Sequence, residues 1–299
     1  MDLTSHVTIL GGAASRAVIV ERCGRLEFDR AVREGILVRV ARGRYALATA
    51  SQAVVVAATW GGVLAMRSAA QRHGWGQKLV PEKPDVCFPR NHRVDPEARK
   101  VLVPHWLDID EGDVEAGVTT KRRTLIDCLR NLPVDESLPI VDSALRADDL
   151  TYAELQRLAH GMKGRGRTRA MAVARLASSK PPNPYESTLR GLAAQVAGLT
   201  ALPQHPVKAW GRTLHPDLFD PGLGLVIEAE SFQWHGKTAA LTRDCLRYNA
   251  FALVDLTVIR FSWYQVMFQP EYVVDVLVRC VERAREHANV ARGPTVVAA

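Results

Sequence analysis

The sequence predicts a mixed α/β (α+β) protein built from three successive regions. Apolar residues recur at helical spacing in several segments, and short strand-like runs bounded by glycine and proline lie between them. A stretch rich in proline and serine, residues 178–184, separates the last third of the chain. The composition, 47% hydrophobic and 24% charged, is typical of globular domains. We therefore divide the chain into regions 1–49, 50–180 and 181–290.

The first region is predicted to contain two helices and then a small hairpin, which is the order of a winged helix. Ser15 can cap the first helix, and the second helix spans residues 26–34. Strands at 36–40 and 44–47 flank a basic turn. A recognition helix reads base edges, while a basic wing contacts phosphates. The predicted DNA-binding residues here are Arg25, Arg30, Arg33, Arg39, Arg42 and Arg44. A generic small helical domain with solvated arginines is the alternative.

The middle region shows mixed signals. We expect a short helix within residues 62–74 and a helix at 152–160, where Thr151 and Glu154 have the spacing of a capping box. The further expected elements are strands at 85–88 and 100–104 and helices at 121–132 and 135–145. The region is therefore predicted to be a small α/β domain.

The last region is predicted to be a mixed sheet flanked by helices. Its expected order is helix, three strands, helix, strand and helix. The corresponding segments are a helix from 184, strands at 205–210, 213–219 and 225–230, a helix at 241–253, a strand at 256–261 and a helix at 271–286.

Three acidic residues in this region predict a metal site. Asp217 precedes a Pro-Gly turn, and the apolar strand that follows presents Glu228 and Glu230 two residues apart. Because side chains alternate along a strand, both glutamates point to one face. We expect Asp217 to join them from the neighbouring strand. Carboxylate oxygens are the ligands that Mg²⁺ and Mn²⁺ prefer. A solvated strand face is the plainer alternative for the two glutamates, but Val226 on the same face is apolar.

These motifs, in this order, resemble the PD-(D/E)XK nuclease superfamily. The resemblance is closer to the branch related to very-short-patch repair endonucleases and covers about residues 183–286. It rests on Pro-Tyr-Glu-Ser-Thr-Leu-Arg around Glu186, Asp217, Ile-Glu-Ala-Glu, His235-Gly, Arg243-Asp-x-x-Arg247 and Val-Ile-Arg-Phe-Ser-Trp ending at Trp263. It implies a restriction-endonuclease-like mixed sheet that carries out metal-dependent hydrolysis of DNA.

The resemblance implies that Asp217 and Glu228 bind Mg²⁺ or Mn²⁺, which polarises the scissile phosphate and activates water. Glu230 stands where the superfamily signature has lysine, so it would bind a second ion or act as a base. We therefore expect Asp217, Glu228 and Glu230 to be the metal ligands. Glu186 would hold the metal through a water molecule, or it would only complement the helix dipole.

Three further residues complete the predicted site. His235 would act as a general acid or base, or it would be structural. Arg247 would hold the scissile phosphate, and Arg243, one turn earlier, would bind DNA. Lys237 is an alternative source of the missing lysine charge.

A looser resemblance concerns the first half of the chain. Residues 18–47, 64–70 and 123–127 are similar to the DNA-binding region of AbiEi-type antitoxin regulators. This resemblance implies a winged helix followed by a small α/β region.

Composition limits the partners and the compartment. The net charge of +7 and pI near 9.3 favour a polyanionic partner. Five scattered cysteines without a C-x-x-C pair fit a reducing cytoplasm. The most apolar window contains Asp255 and Arg260, so we expect no membrane partner.

Together these features predict a divalent-metal-dependent endonuclease that a winged helix brings to double-stranded DNA. A monomer with one site would nick the DNA, and a double-strand break would require a homodimer. The alternative is a non-cleaving transcriptional regulator or antitoxin with a degenerate nuclease domain. An RNA-directed nuclease is a third hypothesis that no sequence feature favours.

Overall fold

The structure is a computed structural model that describes residues 2–9, 13–41, 43–230 and 238–292. The chain is a mixed α/β protein, as predicted. It divides into two compact units, Met1–Pro184 and Tyr185–Ala299. In the part of the chain that is described, no helix is both long and apolar enough to cross a membrane.

The first unit begins with three helices and a three-stranded antiparallel sheet of order β1-β3-β2. Its elements are α1 (Leu3–Ile9), β1 (Ala13–Ser15), α2 (Arg16–Cys23), α3 (Arg25–Arg33), β2 (Leu37–Ala41) and β3 (Arg44–Leu47). Buried Ile19 and Phe28 pack α2 and α3 into one core with Leu37 of β2. The Ser15 hydroxyl accepts a hydrogen bond from the backbone N–H of Val18 at 3.3 Å, which confirms the predicted cap.

The rest of the first unit combines a five-stranded sheet with seven α-helices among its described residues. The elements are α4 (Thr49–Thr59), β4 (Val63–Leu64), α5 (Met66–Arg72), β5 (Asp85–Phe88), α6 (Ala98–Val101), β6 (Val103–Trp106), β7 (Val114–Glu115), β8 (Val118–Thr119), α7 (Lys121–Asn131), α8 (Val134–Arg146), α9 (Tyr152–Gly161) and α10 (Arg167–Leu176), with a 3₁₀ turn at Glu111–Asp113. The sheet order is β6-β5-β4-β8-β7.

Two predictions in this part need correction. The helix expected within residues 62–74 starts late, because Val63 and Leu64 pair with neighbouring strands and Leu64 is fully buried. The strand expected at 100–104 starts only at Val103, after the short helix α6. The capping box of α9 is confirmed, since Thr151 and Glu154 each accept a hydrogen bond from the other's backbone N–H.

The proline-rich stretch 178–184 is anchored to helix α8. The backbone N–H of Ser178 donates to Oδ1 of Asp142 at 2.8 Å. Arg146 donates from Nη1 to the Pro181 carbonyl at 2.6 Å. The stretch predicted as a linker is therefore held by specific polar contacts within the first unit.

The second unit contains a four-stranded mixed sheet of order β14-β13-β12-β9 and a separate hairpin, β10-β11. Its elements are α11 (Pro184–Ala193), β9 (Leu202–Pro203), β10 (Val207–Ala209), β11 (Arg212–Leu214), β12 (Leu218–Asp220), β13 (Leu225–Glu230), α12 (Thr238–Ala252), β14 (Thr257–Ser262), α13 (Trp263–Phe268) and α14 (Pro270–Arg292). Strands β13 and β14 are parallel, and the other pairs are antiparallel. Phe251 of α12 packs with Val226 and Phe219 over one face of this sheet.

The single strand predicted at 213–219 is wrong. The structure has two strands, β11 and β12, separated by residues 215–217. Pro216 lies in this break and has no backbone N–H to donate, which disfavours a continuous ladder. The break places Asp217 just before β12 rather than inside a strand.

Candidate functional site

Asp217 and Glu228 meet where strand β12 begins beside β13. The register pairs Leu218 with Ile227, so Asp217 lies next to Glu228. Oδ2 of Asp217 accepts a hydrogen bond from the backbone N–H of Ala229 at 2.8 Å. The backbone N–H of Asp217 faces Oε2 of Glu228 at 3.4 Å. The two predicted acids are thus fixed by the sheet itself.

Glu186 reaches the same place from helix α11. The Nε2 group of Gln204 donates to Oε2 of Glu186 at 3.0 Å and contacts Oδ1 of Asp217 at 3.3 Å. Gln204 has a positive φ of 50°, and its backbone N–H donates to the Asp217 carbonyl. The structure therefore joins Glu186, Asp217 and Glu228, which we call the carboxylate cluster.

Two acids of the carboxylate cluster, Asp217 and Glu228, have raised pKa values. Burial, reinforced by the negative charge of Glu186, raises the pKa of Asp217 to about 7. Burial and the neighbouring Asp217 likewise raise the pKa of Glu228 to about 7, although Arg247 opposes the shift. Ionised carboxylates in a poorly solvated site repel each other, so both shifts have the expected direction.

Arg247 of α12 is engaged with the carboxylate cluster. Its Nε and Nη2 groups donate to Oε1 of Glu228 at 3.0 and 2.7 Å. Nη2 also donates to the backbone carbonyl of His215 at 2.7 Å. The residue predicted to hold the scissile phosphate thus forms an ion pair with a predicted metal ligand.

Glu230 has a different set of partners. Its Oε1 atom accepts hydrogen bonds from the Tyr248 hydroxyl and from Nε of Arg260, the latter at 2.9 Å. Because α12 contacts Glu228 through Arg247 and Glu230 through Tyr248, both carboxylates lie on one sheet face, as predicted. The described hydrogen bonds of Glu230 are thus to Tyr248 and Arg260 rather than to Asp217 or Glu228.

The site includes residues that the sequence analysis did not select. Gln204 bridges two acids, while Tyr248 and Arg260 bind Glu230. Buried Tyr185 donates from its hydroxyl to the Phe261 carbonyl at 2.5 Å. An arginine within the apolar run Val-Ile-Arg-Phe was the available signal for Arg260.

The donor atoms of the carboxylate cluster are oxygens, which suit Mg²⁺ or Mn²⁺. Within the described ranges, however, no group of three or more His, Cys, Asp or Glu side chains is arranged to hold a metal ion. Gln204 and Arg247 already contact carboxylate oxygens of all three acids. A metal ion would therefore have to replace some of these contacts.

Several predicted residues cannot be placed in the site. His235, Lys237 and Arg42 lie outside the described residues. Arg243 belongs to α12 and Arg44 to β3, but their side chains also fall outside the description.

The predicted DNA-binding arginines of α3 are solvent-exposed, and Arg25 and Arg30 form local ion pairs. Arg30 contacts Glu27 at 2.6 Å, and Arg25 contacts Asp29 at 3.6 Å. Arg33 on α3 and Arg39 on β2 are also exposed. Acids on α3 thus offset part of the positive charge of the predicted recognition helix.

Comparisons with known proteins add little to this geometry. No family model matches the chain, and no curated protein matches it. One solved structure that is similar to this chain is the crystal structure of the RV2827C protein from Mycobacterium tuberculosis. It is 18% identical, with a TM-score of 0.28, and the alignment covers 69% of this chain and 88% of that chain.

Proposed function

We propose that the chain is a divalent-metal-dependent DNA endonuclease, in which the N-terminal helices and hairpin bind duplex DNA and the second unit hydrolyses a phosphodiester. The observation that supports this function best is the buried pair of Asp217 and Glu228, whose pKa values are both raised to about 7. Paired acids of this kind destabilise a fold, and strongly perturbed pKa values concentrate at functional sites. Glu186 adds a third carboxylate to the same hydrogen-bond network.

Asp217 and Glu228 would hold the cation. A bound Mg²⁺ or Mn²⁺ would supply Lewis acidity and lower the pKa of an attacking water molecule. The backbone N–H of Ala229 orients the Asp217 carboxylate through Oδ2, and Nε2 of Gln204 contacts its Oδ1. The sheet therefore preorganises one ligand before the cation arrives.

Glu186 and Arg247 would support the two ligands. Gln204 donates a hydrogen bond to Oε2 of Glu186 and so holds this side chain next to Asp217. Arg247 orients the Glu228 carboxylate and offsets part of its charge. Replacing the Arg247 contact by a divalent cation would keep Glu228 ionised at neutral pH.

A plasmid assay tests this function. Purified protein should convert supercoiled plasmid to open circles with Mg²⁺ or Mn²⁺ and leave the plasmid intact in EDTA. The combined Asp217→Asn and Glu228→Gln variant should lose at least a hundredfold in rate, because removing such charge stabilisation costs several kcal/mol. Asp275→Asn, which removes an exposed carboxylate on α14, is the control and should cleave normally. Cleavage at the wild-type rate by the double variant would refute the proposed function.

The second candidate is a DNA-binding regulator or antitoxin that does not cleave. It is favoured by the ion pairs of Glu228 with Arg247 and of Glu230 with Arg260, which satisfy both acids without a metal. It predicts a DNA gel shift without nicking at any Mg²⁺ or Mn²⁺ concentration. We further propose a reducing cytoplasmic setting, in agreement with five cysteines that are all free.

A further inference from the structure

Arg260 is the more accessible of the two arginines that contact the acids of strand β13. It lies on β14 directly beside Glu228 in the parallel register. Its side chain is 47% exposed, compared with 28% for Arg247. Arg247 uses two nitrogens for Glu228 and the His215 carbonyl. Arg260 uses only Nε, and its terminal amino groups bond to no acceptor among the described residues.

The guanidinium of Arg260 is held in place from two sides. Oε1 of Glu230 accepts its Nε–H at 2.9 Å, and the aromatic ring of Tyr248 lies 4.2 Å below its central carbon. The Tyr248 hydroxyl binds the same oxygen of Glu230. Because Nε is on the inner edge of the guanidinium, this arrangement leaves the outer edge available for a bidentate partner.

A phosphodiester at the carboxylate cluster would meet strong repulsion. Three carboxylates lie there, and Arg247 donates to one of them, Glu228. An anion can approach such a site only if a nearby cation offsets this charge. Arg260 is adjacent, preoriented and partly solvated.

We propose that Arg260 binds the phosphate backbone of the DNA strand at the carboxylate cluster, and that Glu230 positions Arg260 instead of binding the metal. This inference rests on the proposed function. Glu230 is the acid at the position where the nuclease signature has lysine. In this inference its role is to hold the positively charged guanidinium of Arg260, which lies on the neighbouring strand.

Salt dependence of DNA binding by the full chain tests the phosphate contact. Fluorescence anisotropy with a labelled duplex in EDTA would compare wild type with Arg260→Ala. We expect roughly tenfold weaker binding. The slope of log affinity against log salt should fall by about 0.9, the value for one lost phosphate contact. Arg279→Ala is the matched control, because Arg279 also donates Nε to a carboxylate at 2.9 Å and is exposed.

Two further variants separate charge, position and metal binding. Arg260→Lys should retain the wild-type salt slope, because the positive charge remains. Glu230→Gln should weaken DNA binding but leave the Mn²⁺ affinity, measured by calorimetry, within twofold of wild type. An unchanged salt slope for Arg260→Ala would overturn the phosphate contact. A tenfold loss of Mn²⁺ affinity in Glu230→Gln would overturn the positioning role.

These outcomes are independent of the test of the proposed function. If wild type nicks plasmid but Arg260→Ala keeps its salt slope, the enzyme stands and the inference fails. If wild type does not nick but the slope falls by about 0.9, Arg260 is a phosphate contact in a non-cleaving protein.

Discussion

Asp217 and Glu228 destabilise the metal-free fold when they are ionised. Their pKa values rise from 3.8 and 4.5 to about 7, so the native state binds protons more tightly than the unfolded chain. Stability from these groups is therefore complete below about pH 4 and is lost as pH rises through about 7. The two raised pKa values make this loss several kcal/mol for the coupled pair.

The first prediction follows from this sign. In EDTA, Asp217→Asn should be more stable than wild type by about 1–3 kcal/mol at pH 8 and nearly equal to it at pH 4, because the neutral amide mimics the protonated acid. Urea unfolding at both pH values measures this difference. Asp275→Asn is the control, since its carboxylate is exposed on α14 and lies outside the carboxylate cluster. A pH-independent difference for Asp217→Asn would contradict the raised pKa.

The ion pair between Arg247 and Glu228 supplies the second prediction. Glu228 is buried, and Arg247 is mostly covered, so losing one partner leaves a poorly solvated charge. Arg247→Gln should cost about 2–4 kcal/mol at pH 8 in EDTA, and far less when Glu228→Gln is also present. A double-mutant cycle by urea unfolding should give a coupling of about 1–3 kcal/mol. If the effects of the two substitutions are additive, the contact between Arg247 and Glu228 contributes nothing to the free energy of unfolding.

Sequence reasoning found some residues of this site and missed others for a physical reason. Glu228 and Glu230 were predictable as a same-face pair, since strand alternation is local. Gln204 and Arg260 were not, because their proximity depends on a turn with positive φ and on the pairing of β13 with β14. The contact of Arg260 with the Glu230 carboxylate was likewise not predicted.

At the scale of elements, helix α3 is the predicted DNA-reading helix. The third prediction concerns Arg30 of this helix, which is 57% exposed and forms an ion pair with Glu27 at 2.6 Å. In a metal-free gel shift, Arg30→Ala should weaken DNA binding several-fold and lower the salt slope by about 0.9. Lys100→Ala is the matched control, because Lys100 forms a similar exposed pair with Glu97 at 2.7 Å. Equal effects of the two substitutions would remove α3 from the DNA interface.

The start of helix α10 supplies the fourth prediction, which concerns stability. Gly166 has a φ of 86°, and an added Cβ would lie 2.4 Å from the Arg130 carbonyl oxygen. Gly166→Ala should therefore cost about 2–5 kcal/mol, from backbone strain and a clash with main chain. Gly164→Ala tests strain alone, since Gly164 has a φ of 68° but open space around it, and should cost about 1–2 kcal/mol. Urea unfolding that shows equal losses would contradict the clash.

Elements with local signals were predicted best. The capping box at Thr151 and the Ser15 cap depend on residues three positions apart, which the sequence displays directly. The pair Val63–Leu64 instead becomes a strand because β5 and β8 provide partners on both sides. Tertiary pairing of this kind overrides local propensity.

At the scale of the whole molecule, the carboxylate cluster belongs entirely to the second unit, and the predicted recognition helix belongs to the first. A net charge of +7 gives the chain a general attraction to a polyanion despite the acidic site. We therefore expect cations outside the carboxylate cluster to supply most of the DNA affinity. The cluster itself would carry out the hydrolysis of the phosphodiester.

The fifth prediction concerns how many strands one protein molecule cuts. Each chain has one carboxylate cluster in its described part, so a monomer should cut a single strand per binding event. Supercoiled plasmid should become open circles first, at a rate proportional to protein concentration, and linear molecules should appear only after nicks accumulate on both strands. A gel time course over a tenfold range of protein concentration measures both features. Linear DNA formed directly, with a rate that rises as the square of concentration, would instead indicate a homodimer that aligns two sites on opposite strands.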